Sequence, residues 1–239
     1  QVDNSKGTVS ASGLQFMSNG YVITGDALTL VGDQATIRVG DGTSAGAGYT
    51  AQIDALLQGD SALAKTDLGK LILTAANSYT GSTSIEGGTL AAGATNALSA
   101  ASLHSVASGA TLALGGHDQT IAGLDNAGLV TMGTQPGTTL TLTGDYIGKN
   151  GIVTINTALG DDASITDRLV VQGSSTGAIT LQVTNVGGAG AATVNGIKVV
   201  DVTGASTGTF TLQGDYTFHG SQAVIGGAYA YRLYQNGGS

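Results

Sequence analysis

Leu71-Ile-Leu-Thr-Ala-Ala-Asn-Ser-Tyr-Thr-Gly-Ser-Thr-Ser-Ile-Glu-Gly-Gly-Thr-Leu90 passes from one short leucine-bearing alternation to the next, and it decides the fold. Leu71-Ile-Leu-Thr74 and Gly88-Thr-Leu90 each place apolar side chains on one face and are bounded by Gly, Asn or Ser, which reads as short strands. The Gly-x-Thr-Leu element recurs at Gly109-Ala-Thr-Leu112 and Gly137-Thr-Thr-Leu140. Leu90 and Leu112 are therefore one period apart, and Leu112 to Leu140 is expected to be one longer turn with a loop insertion around Gln135-Pro136-Gly137. A period near twenty residues, holding three strands too short to bury a face alone, describes one rung of a parallel β-helix. Rungs of that kind stack at roughly 4.8 Å. Leu71, Leu73, Ile85, Leu90, Leu112, Leu114, Leu140 and Leu142 are the expected inward stacks.

The same pattern extends outward to Ala27-Leu-Thr-Leu30, Thr36-Ile-Arg-Val39 and Thr138-Thr-Leu-Thr-Leu142. The chain of 239 residues contains 40 Gly, one Pro and no Cys or Trp. All of its acids except Glu86 are Asp, a turn former, and Thr is abundant, so composition says all-β with many corners. The one helix-like stretch, Ala51 to Gln58, is short and runs into Gly59-Asp60. A β-sandwich is the alternative, but the strands are short and Phe occurs only at 16, 210 and 218. Near residue 144 the texture changes: strands lengthen, and Tyr146, Tyr216, Tyr229, Tyr231 and Tyr234 follow. The division expected is 1–143 as β-helix rungs and 144–239 as final rungs plus a cap that shields the last strand edge.

The formal net charge is −8, and the eight cations, Lys6, Arg38, Lys65, Lys70, Lys149, Arg168, Lys198 and Arg232, stand singly. Without a basic patch, nucleic acid is not an expected partner. No apolar run approaches the roughly 20 residues of a spanning helix. Zero Cys excludes a disulfide scaffold and fits both a reducing cytosol and a secreted chain. Gln1 opens no signal-peptide pattern, so any such segment is expected to be removed or to lie outside this sequence.

Two segments resemble a known family. Lys65-Thr-Asp-Leu-Gly-Lys-Leu-Ile-Leu73, Ala76-Asn-Ser-Tyr-Thr-Gly-Ser-Thr83 and Ile85-Glu-Gly-Gly-Thr-Leu90, about residues 60–90, resemble the passenger-associated transport repeat of autotransporters, with Asp67 at a common Gly and Ser78 at a common Thr. Gly144-Asp-Tyr146, Leu159-Gly-Asp-Asp162, Thr166-Asp-Arg-Leu-Val-Val171, Gly187-Gly-Ala-Gly190, Gly196-Ile197 and Gly227-Ala-Tyr-Ala-Tyr-Arg-Leu-Tyr234 resemble the C-terminal autochaperone region of pertactin-like passengers. The resemblance implies a right-handed parallel β-helix, exported by type V secretion through the protein's own outer-membrane β-barrel to the surface of a Gram-negative bacterium or into the medium. No barrel follows Tyr234, so a processed or truncated passenger piece is expected. A chain that crosses the periplasm unfolded gains from lacking Cys.

Asp161, Asp162, Asp167 and Arg168 form the densest charged cluster, which could suit calcium or hydrolysis. A corner whose carboxylates accept backbone N–H groups, with Arg168 paired to one of them, is the preferred account. Gly25-Asp26 and Gly40-Asp41-Gly42 read as turns. His104, His117 and His219 fall on different rungs without metal-ligand spacing. Asn77, Asn96, Asn126 and Asn150 suggest an asparagine ladder at one corner, and Tyr229 with Tyr231 suggest cap packing. No G-x-S-x-G or Arg-Gly-Asp occurs. The expectation is no catalytic, cofactor or metal residue and no cofactor. The function expected is a monomeric, non-catalytic stalk whose cap nucleates folding and which presents an adhesin surface to a host-cell or matrix molecule. A released effector binding a host receptor is the alternative; a β-helix polysaccharide enzyme is a second, disfavoured by isolated cations and missing Trp.

Overall fold

The computed structural model describes residues 1–235; residues 236–239, the end of the expected cap, lie outside the described residues. The chain coils as a parallel β-helix with three faces. Face A carries Gly13–Phe16, Gln34–Val39, Ala62–Thr66, Thr83–Ile85, Leu103–Val106 and Gly123–Asn126, each hydrogen-bonded in parallel to the next. Face B carries Tyr21–Ile23, Thr50–Ile53, Lys70–Leu73, Thr89–Ala92, Thr111–Ala113 and Leu129–Thr131 in the same manner. Face C carries Ser10–Ala11, Leu28–Leu30 and Leu57–Gln58 above, and Gln119–Ile121, Thr139–Leu142, Arg168–Val171 and Val200–Val202 below. The segment from Ala51 to Gln58 is two strands and not a helix.

Alternation explains the core. On face B the inward column runs Ala51, Leu71, Leu90, Leu112, Val130, Val153, Leu181 and Leu212, one residue per rung. All eight expected core residues are fully buried. The spacing from Leu112 to Leu140 is not a rung, however. Leu112 stacks on Val130, whereas Leu140 lies on face C between Gln119 and Leu169. Leucine fills inward positions on more than one face, so its recurrence alone does not give the register. Glycine permits close corners: Gly88 has φ +61°, and a Cβ there would press on the Gly69 carbonyl.

The geometry changes at Tyr146. Tyr146–Thr157 is one continuous strand that pairs with face A at its start and face B at its end, turning the corner through an irregularity at Asn150, φ +64°. Ser175–Asn185 follows it through eleven paired positions. Thr209–Gln213 adds a last parallel strand, and an antiparallel meander of Tyr216–Phe218, Ser221–Gly226 and Tyr229–Tyr231 then covers that end. A separate small apolar cluster of Leu159, Leu212 and Val224 lies under the meander. At the opposite end Ser10–Ala11, Gly13–Phe16 and Tyr21–Ile23 have a parallel neighbour on one side only among the described residues, and Met17, Tyr21 and Val22 are exposed there.

Candidate functional site

The charged cluster of the sequence separates into three unrelated positions. Asp167 is fully buried where the chain enters Arg168–Val171. Its Oδ1 accepts the N–H groups of Gly137 and Thr138 at 2.9 and 2.8 Å; its Oδ2 accepts the N–H and side-chain amide of Asn156 at 2.7 and 2.9 Å. One carboxylate thus joins three stretches of neighbouring rungs. The expected pairing of Arg168 is not found: adjacent strand residues point to opposite faces, and while Asp167 turns inward Arg168 is exposed, with no ion pair among the described residues. Asp161 accepts the Ala163 N–H within its own turn. Asp162 reaches across to Val194, Asn195 and Gly196.

Asp26, Asp41 and Asp67 serve turns. Asp26 accepts the Asn4 N–H. Asp41 accepts the N–H and hydroxyl of Thr43 and the Tyr49 hydroxyl; the Thr43 N–H is the chief reason its carboxyl lies below the usual range. Asp67 adopts φ +65°, the conformation a glycine takes most easily, and uses its carboxylate to bind Arg38 Nε at 2.9 Å and the N–H groups of Gly42 and Leu68. Arg38 above all holds that carboxyl low. Among the described residues no three His, Asp or Glu side chains gather as metal ligands.

His104 lies inside the core, His117 in a turn and His219 at the tip of the meander, edge-on to Phe218. The four asparagines do not form one ladder. Asn77 is buried and spans rungs, accepting the Leu57 N–H and donating to the Ala97 carbonyl. Asn126 is buried at a different corner, donating to the Tyr146 hydroxyl and accepting the Gly128 N–H. Asn96 and Asn150 are exposed and occupy left-handed turns. Of the two cap tyrosines, Tyr231 packs on the small apolar cluster while Tyr229 is largely exposed.

Lys65 and His104, which the sequence shows only as a lone cation and a lone histidine, are both buried. Lys65 stands in the inward column of face A between Ile37 and Ile85. Its ammonium donates to the carbonyls of Thr66, Asp67 and Gly87 at 3.0, 2.9 and 3.0 Å, and burial lowers its pKa to about 8. His104 stacks between Thr83 and Leu124, with Nδ1 2.9 Å from the Ser102 carbonyl and Nε2 without a partner. Hydroxyls of Tyr79, Thr83 and Ser102 form a chain beside it, each step 2.8 Å. The signal was spacing: Lys65 and Ile85, or Thr83 and His104, are one period apart.

Residues 63–92 match the family model of the passenger-associated-transport-repeat, and residues 120–233 match that of the autochaperone domain type 1. The adhesin BmaC autotransporter of Brucella suis biovar 1 (strain 1330) is 38% identical over 320 aligned residues, covering 99% of this chain and 9% of that protein. The probable autotransporter YfaL of Escherichia coli (strain K12) is 38% identical over 42% of this chain and 8% of its own length. The autotransporter adhesin AIDA-I of Escherichia coli is 36% identical over 41% of this chain and 7% of its own length. The chain thus spans less than a tenth of each of these three relatives.

Proposed function

The chain belongs to the autotransporter passengers, which are displayed at the bacterial surface or secreted after export across the outer membrane, and from that membership we propose a non-catalytic role in two parts. The rungs form a stalk that presents an adhesive surface to a host-cell or matrix molecule. The C-terminal part nucleates folding as the chain emerges through its own outer-membrane barrel. The names of two relatives, both adhesins, support the first part and the absence of catalysis.

One observation carries the second part. The segment matching the autochaperone domain contains the longest ladder of the molecule, Tyr146–Thr157 on Ser175–Asn185, with Tyr146, Val153, Ile155, Ile179 and Leu181 buried along it. A rung gains little until a neighbour exists, so folding starts where two strands exchange the most bonds at once. The expected tyrosine contribution narrows to Tyr146, buried along the ladder, and Tyr231, packed on the small apolar cluster, since Tyr216, Tyr229 and Tyr234 are exposed. Cavity-making substitutions in the full chain test this. Val153→Ala and Leu181→Ala should slow refolding, whereas Leu71→Ala and Leu112→Ala should chiefly speed unfolding. The opposite partition sinks the nucleation reading. Binding of the labelled chain to host cells, against a cell-free surface, tests adhesion.

A further inference from the structure

Residues 186–199 leave Ser175–Asn185 on face B and rejoin the helix as Val200–Val202 on face C, with no strand between. Backbone bonds from Val186 to Thr157, from Gly190 to Leu159 and from Leu169 to Val199 fix its two ends, and three side chains hold it besides. At its start the Asn185 carboxamide accepts the N–H groups of Leu159 and Gly188 and donates to the Gly188 and Ile225 carbonyls. Midway, the Ala191 N–H donates to the Tyr231 hydroxyl at 2.7 Å, and that hydroxyl lies 2.7 Å from the carbonyls of Gly160 and Ala191. At its tip a single carboxylate, Asp162, accepts the N–H groups of Val194, Asn195 and Gly196 at 2.9, 2.8 and 3.0 Å and the Asn195 amide at 3.2 Å. Burial does not hold the tip, since Val194 is 93% exposed.

Beneath lies a cavity of about 250 Å³, bounded by Ala191 and Ile197 on one side and by Leu159, Leu212, Tyr231 and Leu233 on the other. Its floor is the small apolar cluster, distinct from the main core of the rungs.

We propose that residues 191–198 are a strap that opens and closes over this cavity as one unit, pivoting at Gly190 and Val199, with Asp162 as its clasp. Three successive N–H groups wrapped on one carboxylate are made or lost together, because releasing one moves the others out of bonding range. Between Gly190, bonded to Leu159, and Val199, packed on the main core, the chain makes no backbone–backbone bond and lays only Ala191 and Ile197 towards the cavity, so the clasp decides the balance of this stretch. Opening uncovers the cluster under the meander while the rungs keep their ladders. The inference goes beyond the proposed function and stands whether or not the C-terminal part nucleates folding.

Hydrogen exchange on the full chain tests it, in wild type, Asp162→Asn and Asp162→Ala. Exchange of the amides of residues 194–196 should rise at least tenfold in both variants, more in Ala, while those of Arg168–Val171 and Ser175–Asn185 are unchanged. Unchanged strap exchange, or an equal rise in the strands, overturns the proposal. Should both variants fail to fold, elastase cleavage of the wild type after Val194 decides. A cleavage rate nearly independent of urea marks local opening and supports the strap, whereas dependence as steep as global unfolding refutes it.

Discussion

Lys65 and His104 are two polar groups inside the solenoid, one fully matched by partners and one only in part. Lys65 fills its column with a methylene stem, and its ammonium closes a corner by satisfying three carbonyls. Lys65→Met would keep the stem and strand those carbonyls. The expected loss is about 2 kcal/mol or more, seen as a lower urea midpoint at constant slope. His104 is matched on one nitrogen only, and burial lowers its pKa from 6.5 to about 4 against the pull of the Ser102 carbonyl. Between those values the unfolded chain binds a proton that the folded chain refuses. The contribution of His104 is therefore fully present above pH 6.5 and lost as pH falls towards 4, by roughly 1.4 kcal/mol per unit. Urea titrations at pH 7 and pH 5 should show a smaller drop for His104→Leu than for wild type, by about 2 kcal/mol.

Strands and corners differ in how far the sequence discloses them. Leu71, Leu90 and Leu112 could be placed because a strand alternates with period two and only one face meets the core, so Leu-x-Leu at rung spacing fixes both the element and its orientation. Leu140 was misplaced because corner length varies freely while the inward requirement is the same on every face. Asparagine at a corner is ambiguous for a related reason: Asn77 and Asn126 bridge backbone groups with their amides, whereas Asn96 and Asn150 supply positive φ, and a linear sequence shows only the residue type. For Asp167 the acceptor role was legible and its four donors were not, since they come from residues 137, 138 and 156. That convergence predicts a graded result. Asp167→Ala should cost about 3 kcal/mol or more by orphaning several N–H groups, and Asp167→Asn, keeping one acceptor oxygen, about half. Thermal midpoints of the two variants give the comparison.

At the scale of the molecule, order is passed on in two different ways among the described residues. The parallel ladders run to Val200–Val202 and Thr209–Gln213, each with one parallel neighbour, and an antiparallel meander that pairs with itself lies on the small apolar cluster beside them. A parallel rung takes its register from the rung before it, whereas the meander takes its register from its own turns, so loss of the meander should not propagate into the rungs. Val224→Lys, placing a charge in that cluster, should therefore speed hydrogen exchange across residues 216–231 and leave Tyr146–Thr157 near wild type. Inheritance of register runs along the rungs and begins afresh after Gln213.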